Sequence, residues 1–294
     1  MKKINMTPVE VPINFNYVGA FLTLRCALQC DYCINDDSGV ERKRDEMSGE
    51  EWIDGINRLD IGKDLAITLE GGEPTMHPDF YNIIEGIKHP VDLLTNLQFN
   101  TAEFIRKVNP KWFHQGAHRS YKSVRATFHP TRMNIDDTIQ KVTRLQDSGF
   151  KVGLFSLNVP ENTEANMDMA ELARRNGVYF FIKDFIGRQD DGRLYGQFKY
   201  PDAVGGGDKK IVMCRTKEVL IAPDGEMYKC HRDLYHGEKS LANICDSNLE
   251  IDYDYKACSN FGECNPCDIK LKTNRYLQMG VCSVDIKEMF GRDK

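Results

Sequence analysis

CALQCDYC (residues 26–33) places three cysteines in the pattern C-x3-C-x2-C, directly behind a short apolar run, VGAFLTL (residues 18–24). The run reads as a strand, so the thiols stand just past its carboxyl end. Seven more cysteines lie far downstream, making ten in 294 residues. The start, MKKINMTPVEVPINF, lacks the apolar stretch of a signal peptide, and no run approaches the roughly 18 apolar residues of a membrane helix. A cytoplasmic protein without a membrane partner is expected. In a reducing compartment clustered thiols bind metal more often than they form disulfides. The formal charge of −5, with no clustered basic stripe, argues against a nucleic-acid partner.

Outward from the triplet, strands and helices alternate. SGEEWIDGINRL (48–59) opens on a capping box, Ser48 with Glu51, and carries Trp52, Ile53, Ile56 and Leu59 at helical spacing. LAITLEGGEP (65–74) is a strand running into a glycine turn, HPDFYNIIEGI the next helix, and VDLLTN (91–96) a third strand. A short helix over 100–108 precedes a fourth strand, SVRATF (123–128). Ile135, Ile139, Val142 and Leu145 stripe the following helix, which Gly149 stops. KVGLFSL, a helix over 162–176 and VYFFIKDF complete six strand–helix units. Such alternation means a parallel sheet covered by helices, and six units are too few for an eightfold barrel. An open partial barrel or a doubly wound sheet fits, with the chemistry at the carboxyl ends of the strands. The triplet, Gly71–Pro74, Asn96, His129 and Asn158 all sit just past such ends.

Structural zinc usually takes four protein ligands, and the triplet has no fourth nearby. A 4Fe–4S cube held by three thiolates leaves one iron open to a small molecule. On the triplet, its aromatic neighbour Tyr32, the GGEP turn and the TN pair (Thr95, Asn96), the segment from about Phe21 to Phe185 resembles the radical S-adenosylmethionine (radical SAM) superfamily. The resemblance implies a partial (β/α)6 barrel in an α/β fold. It also implies a 4Fe–4S cluster on Cys26, Cys30 and Cys33, S-adenosylmethionine as cofactor, and a reducing partner such as flavodoxin or ferredoxin. Tyr32 packs the adenine in that reading. Gly71, Gly72, Glu73 and Pro74 approach the methionine amino group, with Glu73 accepting from the ammonium. Thr95 and Asn96 supply polar contacts to the cofactor. His129, Ser156 and Asn158 stand at strand ends as further contacts or as loop caps. The chemistry implied is reductive cleavage of S-adenosylmethionine to a 5′-deoxyadenosyl radical, which takes a hydrogen atom from the substrate.

Downstream, KEVLIAPDGEMYKCH (217–231) reads as a β-hairpin about Pro223-Asp224-Gly225. Its C-x10-G-x4-C spacing, Cys214 to Cys230, followed by Cys264-x2-Cys267, resembles the Twitch and SPASM extensions of the superfamily. That implies one auxiliary 4Fe–4S cluster on Cys214, Cys230, Cys264 and Cys267. Zinc, or a second cluster, is the alternative. Cys245, Cys258 and Cys282 are left as small buried thiols, further ligands or hydrogen-atom donors to a substrate radical. The expected organisation is an N-terminal extension (1–17), the barrel (18–186), a bridging loop over the barrel mouth (187–213) and the Twitch-like domain (214–294).

Relatives of this size act on small polar substrates such as aminocyclitols, sugars or nucleotides, and the resemblance therefore implies dehydrogenation, epimerisation or rearrangement of one of these. One alternative is modification of a ribosomal peptide. Another is an electron-transfer or metal-binding scaffold without radical chemistry, from which a test for cleavage of S-adenosylmethionine by the reduced protein would distinguish it.

Overall fold

The computed structural model describes residues 7–33, 44–62, 65–116, 121–184, 197–204, 209–271 and 282–289. Strands β1 (Tyr17–Thr23), β2 (Ile67–Gly71), β3 (Val91–Thr95), β4 (Val124–Thr127), β5 (Val152–Asn158) and β6 (Tyr179–Asp184) pair in that order, all parallel. Helices α1 (Gly49–Asn57), α2 (Phe80–Gly86), α3 (Thr101–Lys107), α4 (Ile135–Asp147) and α5 (Thr163–Arg175) fill the crossovers. Side-chain caps start three of them: Ser48 with Glu51 before α1, Asn100 before α3 and Asn134 before α4. No described helix is long and apolar enough to cross a membrane.

The two-residue period of the strands separates two environments. Val18, Ala20 and Leu22 of β1, Ile67 and Leu69 of β2, and Val124 and Ala126 of β4 join Trp52, Phe80 and Phe104 in one core on the helix side. The intervening residues face the other way, and several of them are polar or charged. Tyr17 donates to Glu70 (2.5 Å), while Arg125 and Tyr121 both reach Asp92 (3.3 and 2.5 Å). Gly19 leaves the room for Glu70, because a Cβ there would stand 2.2 Å from its Oε1. Part of the inner face is thus lined by buried charge paired with buried charge or phenol.

The remaining strands divide in a way the hairpin motif did not foretell. Strand β7 (Lys210–Thr216) forms a separate antiparallel sheet between β11 (Lys256–Phe261) and β12 (Val284–Glu288). The expected hairpin, β8 (Glu218–Ile221) and β9 (Glu226–Tyr228), instead extends the barrel sheet. β8 lies parallel to β1 with Glu218 opposite Tyr17, and β10 (Ala242–Asn243) follows β9 at the edge, making nine strands. Burial explains the choice. All four residues of β8 are buried, with Val219 and Ile221 in the helix-side core and Leu220 in a cluster with Phe21 on the inner face. A strand buried on both faces belongs inside a sheet, and β8 also covers the edge of β1 that would otherwise be open.

The described part of the bridging segment packs on the small sheet. Lys199 N donates to Ile269 O (2.9 Å), Lys199 Nζ reaches Asp285 (3.1 Å), and the Tyr200 hydroxyl accepts from Ile286 N (3.0 Å). Arg188, Arg193 and Tyr195 of the same segment lie outside the described residues.

Candidate metal and cofactor site

The triplet loop is built against the glycine turn. Gly72 N donates to Thr23 O (2.9 Å) and Glu73 N to Arg25 O (2.8 Å), so the end of β2 runs alongside the entry to the loop. Gly71 sits at φ 139°, where side chains are strained, and a Cβ there would stand 2.1 Å from Thr23 O. A Cβ on Gly72 would stand 2.4 Å from Arg25 O. Both glycines are therefore required by the main chain of the triplet loop itself, whatever approaches them from outside. Arg25 fastens the loop from the other side, reaching Glu46 (2.7 Å) and Met76 O (3.1 Å), and Thr23 donates to the same Glu46 carboxylate.

Cys30 is buried and Cys26 and Cys33 are half-buried, and Cys33 N closes a turn on Cys30 O (3.0 Å). Burial first, and then the nearby Cys33 and Cys26 sulfurs, push the Cys30 thiol up to about 11. Cys26 is raised likewise by burial, with Glu73 and Cys33 adding to it. Three thiols gathered at one locus form a ligand set that a cation completes, because it supplies the charge that stabilises three thiolates. The donor set thus fits a three-thiolate iron–sulfur cluster.

Glu73, wholly buried, is the hub beside it. Its carboxylate accepts from Thr75 Oγ1 (2.6 Å) and Thr75 N (3.3 Å), from Thr95 Oγ1 (2.9 Å) and from Asn96 N (2.7 Å). Burial raises its pKa and these donors oppose the rise. The turn expected to receive an ammonium is already bonded to the end of β3, so in this structure Glu73 joins the GGEP and TN elements. Every one of its partners donates. Glu73→Gln puts an amide N–H₂ among donors, and should cost about 1–3 kcal/mol of stability for a buried unpaired group. Urea unfolding of the metal-free variant checks this, and an unchanged midpoint would mean that the carboxylate is not structural. Pro74 is buried and begins the 3-10 turn Pro74–Met76, closed by His77 N on Pro74 O (3.1 Å).

Tyr32 stacks on His129, ring centroids 5.9 Å apart, and its hydroxyl lies 3.2 Å from His129 Nδ1. Burial holds His129 down to about 4, so it is neutral at pH 7. The structure thus pairs two residues that the sequence assigns to one cofactor from distant positions. Ser156 and Asn158 are placed differently. They share the strand face of Val152 and Leu154, which pack in the helix-side core. Ser156 is buried there with no hydrogen-bond partner for its hydroxyl among the described residues, and Asn158 is exposed.

A second thiol cluster lines a cavity between β7, β11 and the start of α6 (His231–His236): Cys214, Cys230, Cys258 and Cys264. Cys214 and Cys258 share a hydrogen bond that favours the Cys258 thiolate, and Lys229 nearby adds to it. Cys258, read as a spare thiol, therefore belongs with the ligand candidates. Cys267, at the start of α7 (Pro266–Ile269), lies outside the lining and close to His231 and Tyr235. Cys245 packs near Met47 (3.8 Å) beside the barrel core, and Cys282 is buried with its thiol on Val284 O (2.7 Å).

Between this cavity and the barrel interior stands His231, whose Nδ1 is 3.0 Å from Asp268 and 3.6 Å from Glu218. Burial opposes its charge, but Cys267, Asp268 and Glu218 outweigh that and hold it up to about 10. The three side chains converge closely enough to hold a metal ion, and a charged imidazole between two carboxylates accounts for them equally well. Glu218, Asp268, Glu70, Asp92 and Arg125 all escaped the reading of the sequence. The signal was there: LAITLEGG, VDLLT and SVRATF place Thr68, Glu70, Asp92 and Arg125 at alternate positions in otherwise apolar strands.

The profile of the Radical SAM superfamily matches residues 21–173. PqqA peptide cyclase of Bradyrhizobium diazoefficiens is 39% identical over 79 residues, which is 26% of this chain and 20% of the relative. Mycofactocin maturase MftC of Mycobacterium tuberculosis is 26% identical over 169 residues, 53% of this chain and 41% of the relative. The matched segments thus span less than half of either relative. Streptococcus suis SuiB bound to precursor peptide SuiA superposes with a TM-score of 0.53 at 13% identity, covering 84% of this chain and 64% of that one. Native anSMEcpe with bound AdoMet gives 0.54 at 11% identity, covering 88% and 81%. These two likenesses concern the fold.

Proposed function

The chain belongs to the Radical SAM superfamily, and from that premise we propose that it modifies a peptide, using an auxiliary cluster beside the first. The observation that carries the peptide reading is the 39% identity to a PqqA peptide cyclase. A fold shared with SuiB, which is seen bound to its precursor peptide, agrees with it. The expectation of a small polar substrate has no such support, and peptide modification, the alternative reading of the sequence, takes its place.

When bound, the 4Fe–4S cluster and S-adenosylmethionine supply a one-electron cleavage that generates the radical taking hydrogen from substrate. The protein's own part is positional. Cys26, Cys30 and Cys33 hold the cluster, and Gly71 and Gly72 let the GGEP turn lie against their loop. Glu73 fixes Thr95 and Asn96 beside Cys26. Tyr32 and neutral His129 form one aromatic wall for the adenine. Cys214, Cys230, Cys258 and Cys264 hold the auxiliary cluster, the cavity they line being the reason to include Cys258 over Cys267. Soft thiolate ligands in that number suit an iron–sulfur cluster.

The test is mass spectrometry of reconstituted, reduced protein with S-adenosylmethionine and a small-peptide fraction from the source organism. A peptide altered in mass only when S-adenosylmethionine is present supports the proposal. Turnover of a sugar, aminocyclitol or nucleotide fraction, with all peptides unchanged, contradicts it.

A further inference from the structure

We propose that Asn96 is a positioning residue for the Cys26 sulfur, donating an N–H···S hydrogen bond that eases reduction of the cluster this sulfur holds. The inference rests on reading the triplet as cluster ligands. Asn96 Nδ2 lies 3.3 Å from Cys26 Sγ. Three features hold the amide in that pose. Gln98 N donates to Asn96 Oδ1 (3.0 Å), so the oxygen is occupied and the N–H₂ end faces the sulfur. Asn96 N is held by Glu73 Oε2 (2.7 Å). The next residue, Leu97, adopts φ 60°, a left-handed conformation that a bulky side chain avoids.

That conformation is fixed from several sides. Leu97 N donates to Thr95 Oγ1 (3.0 Å), Lys141 Nζ donates to Leu97 O (3.3 Å), and the Leu97 side chain is wholly buried in the helix-side core. A strained turn kept in place by so many contacts is the kind of feature that serves a site. Its consequence here is the direction of one amide. Asn96 is itself only 5% exposed, so water does not compete for the bond. A donor aimed at a thiolate ligand withdraws charge from it, and hydrogen bonds to cluster sulfurs are among the factors that set reduction potential.

Asn96→Leu keeps the shape and removes the donor. In the reconstituted holoenzyme, a redox titration followed by electron paramagnetic resonance should show the equilibrium constant for reducing the first cluster falling about tenfold, or 59 mV for a one-electron couple. The auxiliary signal should stay in place. Asn96→Asp should move the same potential in the same direction. An iron-replete Asn96→Leu protein with an unmoved potential overturns the proposal. So does a loss of S-adenosylmethionine affinity without a shift, which would make Asn96 a cofactor contact.

Should the variants fail to hold iron, the wild-type protein decides. With ¹⁵N-labelled asparagine, electron–nuclear double resonance of its reduced first cluster should show coupling to one side-chain amide. A loaded wild type without that coupling overturns this proposal alone, whereas a wild type that takes up no iron overturns the reading of the triplet with it.

Discussion

Replacing Cys26, Cys30 and Cys33 together by alanine should remove about half of the bound iron, one cube of two, and all formation of 5′-deoxyadenosine. The size of the effect follows from the geometry. The Cys33 sulfur stands close enough to raise both Cys26 and Cys30. The downstream cysteines gather round a different cavity, so their iron should stay. Iron analysis and chromatography of the reaction mixture read the two outcomes separately. A triple variant that loses all its iron would mean that the downstream thiols hold none, and one that still cleaves S-adenosylmethionine would place the reactive cluster elsewhere.

The second large effect separates two neighbouring thiols. Cys258→Ala should lower iron by about half and abolish product formation while sparing cleavage of S-adenosylmethionine. Cys267→Ala should keep its iron. The reason is position: Cys258 lines the cavity with Cys214, Cys230 and Cys264, while Cys267 lies against His231 and Tyr235. Retention of iron by Cys258→Ala with loss in Cys267→Ala would restore the ligand set that the C-x2-C spacing suggested.

What the sequence made legible was whatever obeys a local rule. The six strands and five helices appear where the apolar periods put them, and the Ser48–Glu51 capping box forms as its spacing requires. The triplet stands out by its own close spacing, whereas the GGEP turn and the TN pair were named through the resemblance to the superfamily. Non-local features were hidden. β8 and β9 have a hairpin's turn and a hairpin's pattern, and both were visible, but nothing local says that β8 will lie beside β1. Cys258 was left with several open roles, a further ligand among them, and it reaches the cavity because β11 pairs with β7, where Lys256 stands opposite Cys214. Glu73 was given an external partner because its neighbours in space, Thr95 and Asn96, come from the next strand. The inner-face charges Glu70, Asp92 and Arg125 were given no role, although they alternate with apolar residues along their strands.

The decisive measurement is made on the wild-type protein, reconstituted anaerobically, loaded with iron and reduced with dithionite in the presence of S-adenosylmethionine. Liquid chromatography should find 5′-deoxyadenosine and methionine in equal amounts, both absent from the triple cysteine variant. Full iron in both sites with no 5′-deoxyadenosine from the wild type would contradict the assignment of Cys26, Cys30 and Cys33 to a cluster that cleaves S-adenosylmethionine.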